Sequence, residues 1–239
     1  MEARLPRPFR VLFTTRVGGE STGVFSSLNL DPRSEDDPTA VARNRARVAA
    51  LVGRRVISPV QVHGLRVVGA AEYVQEPPGS PCDGLTIHAD IDEGLAALLL
   101  FADCVPVVLC GEVDMAVIHA GWRGVLGGIV QQGGRALMGA PGTAVIGPSI
   151  GPCCFTAADE VASGFAARFG PEVVVRAGAS CRVDLWASVT KALAEIGIHG
   201  EQVVNPRLCT ACNRDFFYSY REEGPVTGRQ GCVGWAETR

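Results

Sequence analysis

The segment Gly94–Gly111, GLAALLLFADCVPVVLCG, constrains the fold more than any other. Its eighteen residues carry one charge, enough apolar length to raise the question of a membrane span. Asp103 and Pro106 near its middle answer it. An unpaired carboxylate at that depth costs about 3 kcal/mol, and proline breaks the helix. Two buried strands flanking a short turn suit the same residues, and they require a core large enough to cover them. With 239 residues, 47% of them hydrophobic and 20% charged, the chain can build that core as an ordinary globular protein.

Further short apolar runs share this grammar. FRVLFT, VISPVQV, RVVGAA, MAVIHA, TAVIGP and QGCVGWAE are bounded by Gly, Pro or Asp and read as strands. Asp36-Asp37-Pro38 predicts a capped helix start, with the helix running to Leu51. Helices are also expected over 157–169, 184–196 and, despite four interior glycines, 124–138. The order is not a strict βαβ alternation. The expectation is an α+β fold with mixed sheets, one domain over residues 1–239. No apolar run precedes a small-residue cleavage site near the N-terminus, so no signal peptide is expected. Nine cysteines without an export signal point to a reducing, cytoplasmic setting and free thiols. A net charge of −3 argues against nucleic acid or an anionic membrane as partner.

The four histidines divide into two pairs. His88 and His199 lie in polar or glycine-flanked segments and read as exposed loop residues. His63 (PVQVHG) and His119 (MAVIHAGWRG) each close an apolar run and open into glycine. Cys104 follows LLLFAD in the same manner. Strand ends that open into flexible loops are common places for sites. One thiolate with two imidazoles suits Zn²⁺ and leaves a fourth position open. Asp83 and Asp103 are candidates to orient the imidazoles from behind. By spacing alone, satisfied core residues explain the same three positions.

Cys209-x-x-Cys212 lacks a second local CxxC and reads as structural packing, and the adjacent Cys153-Cys154 pair is a poor chelate for one ion. For anions, Arg123 in GWRG offers a guanidinium between glycines, and IGPSIGPCC offers a run of amides that could form a nest. Arg45 in RNRAR is expected on the exposed side of the first helix. Neither GxxxxGK[ST] nor GxGxxG after a strand is present.

FTTRVGGESTGVFSSLNL, NRARV, PVQVHG, CDGL, LLLFADCVPV, AVIHAGWRG, IGPSIGPCC and CTACNRDFFYSYREEGPVTGRQ follow one another from Phe13 to Gln230. In that order they resemble the YfiH family, also called laccase-domain or multicopper polyphenol oxidoreductases. The resemblance implies two packed mixed β-sheets with helices outside, similar to cysteine hydrolases. It also implies one zinc held by His63, Cys104 and His119, and phosphate contacted by Arg45. Members are credited with phosphorolysis of adenosine, inosine and methylthioadenosine and with adenosine deamination, so a purine nucleoside and phosphate are the implied partners. SYREEG departs from the commoner SYRRDG and reverses a charge at Glu222.

The expected activity is therefore a zinc-dependent purine nucleoside phosphorylase with adenosine deaminase side activity. Arg45 holds phosphate, helped by Arg123, and Asp83 or Asp103 donates a proton or hydrogen bond to the departing base. Phenol oxidation fits poorly, because blue and trinuclear copper sites together need about eight imidazoles, although Cu²⁺ can occupy the same three ligands. A metal-free cysteine hydrolase or amidase acting on a cell-wall precursor, with Cys104 as nucleophile, is the second enzyme reading. A non-enzymatic scaffold with a purely structural zinc is the third.

Overall fold

The computed structural model describes residues 1–3, 5–177 and 180–237. Two large mixed sheets lie face to face. The first has five strands in the order Glu2–Ala3, Phe9–Phe13, Gln230–Ala236, Leu95–Phe101 and Arg55–Ile57. The second has six, in the order Val203–Val204, Thr143–Ile146, Val105–Cys110, Asp114–Ala120, Gly84–His88 and Val67–Gly69. Most pairs are antiparallel, and Arg55–Ile57 runs parallel to Leu95–Phe101 at one edge.

The apolar run that opened the sequence analysis explains this layering. Side chains alternate across a strand, so Ala97, Leu99 and Phe101 face the second sheet while Ala96, Leu98 and Leu100 face the other way. Both sides are covered, which is why the strand reads as continuously hydrophobic. Between the sheets, Phe9, Val11, Phe13 and Cys232 meet Leu85, Ile87, Val108, Met115 and Val117. On the outer side of the first sheet, Val48 and Val52 of the helix Pro38–Val52 cover Leu98 and Leu100. On the outer side of the second sheet, Val107, Leu109 and Ile118 meet Val130, Phe165 and Val189 from three helices. Leu95–Phe101 and Val105–Cys110 are not a hairpin. They belong to different sheets, and Ala102-Asp103-Cys104 carries the chain from one layer to the other.

The first helix begins as its sequence demands. The Asp37 side chain accepts from the Thr39 amide at 2.9 Å, Pro38 holds the first helical position, and Gly53 ends the helix at φ 63°. The expected helix over 124–138 is two helices, Trp122–Gly127 and Ile129–Ala136. Gly128, at φ 92°, takes a left-handed conformation that breaks the run. Gly133 serves packing: a Cβ there would lie 2.1 Å from Ile118 Cδ1, so only glycine lets this helix approach the sheet so closely.

VISPVQV also departs from expectation. Only Arg55–Ile57 is a strand, and after Pro59 the chain holds one isolated bridge, Val60 to Pro81. His63 thus lies on a loop, not at a strand end. A three-stranded sheet of Thr156–Ala157, Ser180–Val183 and Val174–Ala177 was not foreseen.

Leu99 is fully buried between the sheets. Leu99→Ala should therefore cost about 2–5 kcal/mol, read as a lower urea midpoint at unchanged slope. A loss below ~1 kcal/mol would mean that the layers close over the gap.

Candidate metal centre and its cavity

Three connections at one end of the sheets supply the centre. His119 is the next-to-last residue of Asp114–Ala120, Cys104 sits in the crossover between layers, and His63 is on the loop after the bridge at Val60. Their donor atoms all lie within 4.8 Å of one another. The two imidazole rings meet edge to face with centroids 4.8 Å apart.

The His63 loop is held by side chains rather than by a sheet ladder. The Gln61 amide donates to the Leu100 carbonyl at 2.8 Å and accepts from the Leu100 amide at 2.7 Å, as a further strand would. Asp83, fully buried, accepts from the backbone amides of Val62 at 3.2 Å, His63 at 2.9 Å and Gly64 at 2.7 Å. These amides curl around one carboxylate because His63 adopts φ 58°. The same carboxylate bonds His119 Nδ1 at 2.8 Å, leaving Nε2 for the centre. Burial opposes the Asp83 charge, but the hydrogen bonds from His119 and from the Gly64 and Val62 amides outweigh it and hold the carboxyl below its ordinary range.

Cys104 and His119 form a coupled pair. Burial alone would raise the thiol, yet the His119 and His63 imidazoles draw it down to about 6. Burial alone would lower the His119 imidazole, yet Cys104 and Asp83 push it up to about 9. A thiolate, the form that binds metals, is therefore favoured at neutral pH.

The donor set fits zinc. Ligand bonds of about 2.0–2.3 Å in a tetrahedron place donors ~3.3–3.8 Å apart, a small adjustment from what is seen. Gly121 shows how tightly the space is kept. A Cβ there would lie 2.8 Å from His63 Cδ2 and 3.1 Å from Cys104 Sγ. All three donors line a cavity of about 560 Å³, so the open side of the centre faces solvent-accessible space.

Arg33, Arg123, Arg221 and Arg229 also line this cavity, with the rings of Trp122, Phe155 and Tyr220. Arg221 is spent on the wall, donating to the carbonyls of Cys154 at 3.3 Å and Thr156 at 2.8 Å. Arg123 lies over the Trp122 ring at 4.2 Å and makes no hydrogen bond or ion pair among the described residues. Among the described residues the Arg33 side chain pairs with Asp31 alone, at 3.4 Å. Arg33, Arg229, Phe155 and Tyr220 were missed because nothing local marks them: the fold alone gathers them, from three loops and the short helix Tyr220–Glu223.

The other expected site residues are placed as follows in the fold. Arg45 is not among the cavity-lining residues, and its guanidinium donates to the Leu30 carbonyl at 3.0 Å, behind the Asp31–Arg33 segment that does line it. Its neighbour Asn44, fully buried, secures the Gly/Ser loop through the carbonyls of Ser27 at 3.1 Å and Asn29 at 3.0 Å. Asp83 is not among the cavity-lining residues, and its oxygens are taken up by the loop amides and His119. Asp103, at φ 87°, borders the cavity but accepts from Thr210 Oγ1 at 2.6 Å, Ser219 Oγ at 3.0 Å and the Arg221 amide at 2.7 Å. It is a hub for these segments, and burial raises its carboxyl above the ordinary range despite the hydrogen bonds from Thr210, the Arg221 amide and Ser219. The IGPSIGPCC amides form no nest. Those of Gly147, Ser149 and Ile150 go to backbone carbonyls, and that of Gly151 goes to Cys209 Sγ at 3.2 Å. Exposed Glu222 does not line the cavity, whereas Arg221 beside it does. His88, expected to be exposed, is half-buried at a strand end, where Nδ1 accepts from the Asp90 and Ile91 amides at 3.2 Å. Asp83→Asn keeps the shape but loses charge and an acceptor, and should weaken metal binding at this centre about 10–100-fold. Competition with a chelator measures this, and unchanged affinity would remove Asp83 from the centre.

The chain is similar to known proteins over most of its length. The chain is 33% identical to the purine nucleoside phosphorylase YlmD of Geobacillus stearothermophilus, over 90% of this chain and 86% of the relative. It is 36% identical to a purine nucleoside phosphorylase of Deinococcus radiodurans, over 92% of this chain and 87% of the relative. The crystal structure of a Neisseria meningitidis protein superposes with a TM-score of 0.90 at 33% identity, covering 100% of this chain and 99% of that one. The sequence profile of the family described as multi-copper polyphenol oxidoreductase laccase matches residues 10–237, and to that family, with its YfiH and YlmD members, this chain belongs.

Proposed function

We propose that this chain is a zinc-dependent purine nucleoside phosphorylase that cleaves adenosine, inosine and methylthioadenosine with phosphate, and deaminates adenosine as a side reaction. One observation carries the reading. The His63–Cys104–His119 centre opens into a cavity that combines uncommitted guanidinium groups with aromatic rings. Guanidinium forks bind phosphate bidentately, and ring faces suit a purine. Relatives named purine nucleoside phosphorylases support the same substrate class.

Phosphorolysis breaks the bond from C1′ to the purine nitrogen while a phosphate oxygen bonds to C1′. The leaving base carries away the electron pair and takes up a proton, balanced by the one that the attacking hydrogen phosphate gives up. Arg123 and Arg33 hold the phosphate. Phe155 and Tyr220 hold the purine plane. Asp31, also on the cavity wall, accepts from the ribose hydroxyls. Arg45 acts indirectly, by fixing the Leu30 carbonyl beneath the Asp31–Arg33 segment. Asp83 fixes the His119 tautomer. His63, Cys104 and His119 would hold the zinc, which would supply the Lewis acidity that deamination needs.

Phenol oxidation is less well supported. The chain has four histidines, two of them in this centre, against the roughly eight imidazoles that blue and trinuclear copper together require. A second reading does have an observation behind it. Cys104, His119 and Asp83 stand in the order of a nucleophile, base and orienting acid, and the thiol is already drawn down to about 6. In a cysteine hydrolase without metal, Cys104 would attack a carbonyl directly.

Two measurements separate the readings. Arg123→Ala should raise the apparent KM for phosphate about 10–100-fold, the worth of a charged hydrogen bond, in the conversion of inosine to hypoxanthine and ribose 1-phosphate. An effect confined to the nucleoside KM would reassign Arg123. Iodoacetamide should spare the zinc-loaded enzyme and inactivate it once a chelator has freed Cys104. Rapid inactivation of the fully loaded protein would favour the thiol nucleophile.

A further inference from the structure

A second cluster of sulfur lies beside the cavity and outside the centre described above. Residues 147–155 and 207–213 run alongside each other there. Ser149 and Cys209 form an isolated parallel bridge, with the Ser149 amide donating to the Leu208 carbonyl at 3.1 Å and the Thr210 amide to the Ser149 carbonyl at 3.1 Å. This register sets Cys153 and Cys154 against Cys209 and Cys212. Cys212 Sγ is 3.5 Å from Cys153 Sγ and 3.4 Å from Cys154 Sγ, and all four sulfurs lie within 4.8 Å of one another.

The adjacent pair and the CxxC pair were each insufficient alone, and the fold supplies what each lacked. All four are free thiols. Contacts of 3.4–3.5 Å are well beyond the ~2.05 Å of a disulfide. A tetrahedral ion with metal–sulfur bonds of about 2.3 Å places its ligands ~3.8 Å apart, close to the spacing found. The surroundings are also those of a thiolate site. The Gly151 amide donates to Cys209 Sγ at 3.2 Å. Gly151 reaches that position because it has no side chain, since a Cβ would lie 2.7 Å from the Trp186 ring. Asn213 braces the turn by donating to the Cys209 carbonyl at 2.8 Å.

We propose that Cys153, Cys154, Cys209 and Cys212 bind a second zinc ion in a closed, all-sulfur site. Four thiolates leave no coordination position for substrate, so the site is structural. Its place gives it a purpose. Ile150 and Phe155, on either side of the cysteine pair, line the cavity, and Arg221 reaches the Cys154 carbonyl from the opposite wall. The ion would fasten two loops that the sheets do not hold. Binding displaces the thiol protons to solvent and involves no change of oxidation state.

Metal analysis of the full chain, expressed with zinc and dialysed, tests this. Wild type should hold two zinc ions, and both Cys153→Ser/Cys212→Ser and His63→Ala/His119→Ala should hold one. The histidine variant reloaded with Co²⁺ should show the intense near-ultraviolet thiolate-to-cobalt absorption of a sulfur-rich tetrahedron. Zinc content unchanged by Cys153→Ser/Cys212→Ser, or a folded histidine variant that holds no zinc, would overturn the proposal. Should the cysteine variant fail to fold, alkylation of native wild type decides. Cys153 and Cys212, both exposed, should be protected until a chelator is added. Immediate alkylation, or an intact mass lower by one pair of hydrogens, would sink the idea.

Discussion

The buried carboxylate of Asp83 is the interaction on which the centre depends. An isolated charge at that depth would cost several kcal/mol, and here it is met by three backbone amides and one imidazole. Each partner gains as well. The loop carrying His63 has almost no sheet pairing, and without the carboxylate its three amides would lack an acceptor. His119 gains a fixed tautomer. One side chain on the second sheet thus sets the position of two ligands, and the crossover between sheets delivers the third.

The layers explain why these groups meet. Leu95–Phe101 and Val105–Cys110 lie in different sheets, so the three residues between them cross the mouth of the sandwich. A turn in that position is exposed on one side and anchored on the other. Asp103 provides the anchor, with its carboxylate bound to Thr210, Ser219 and the Arg221 amide and its carbonyl bound to the Ile150 amide at 2.9 Å. The turn, two neighbouring loops and the start of the short helix Tyr220–Glu223 are tied to one residue.

Much of this was legible in the sequence. The apolar runs located Cys104 and His119 because each is the point where a buried strand must stop, and the capped helix start at Asp37 followed from local chemistry. The rest depended on contacts between distant residues. VISPVQV has strand composition, but Pro59 removes a donor and the loop relies on Gln61 and Asp83, whose partners lie 39 and about 20 residues away. Arg45 stood out in RNRAR as a charge, whereas the buried anchor of that helix is the less conspicuous Asn44. No spacing rule could pair Cys153-Cys154 with Cys209 and Cys212, because the register of two loops, not a motif, brings them together.

The Asp103 hub has a consequence for how a ligand gets in. Floor and rim share hydrogen bonds, so they resist swinging apart as a hinged lid would. The groups with slack are long side chains: Arg33 has a single weak ion pair, and Arg123 rests on Trp122 through an attraction worth about 0.5–1 kcal/mol at an exposed site. Admission to the cavity is then a matter of rotamers on a rigid frame, and the time it takes is that of a side chain turning over.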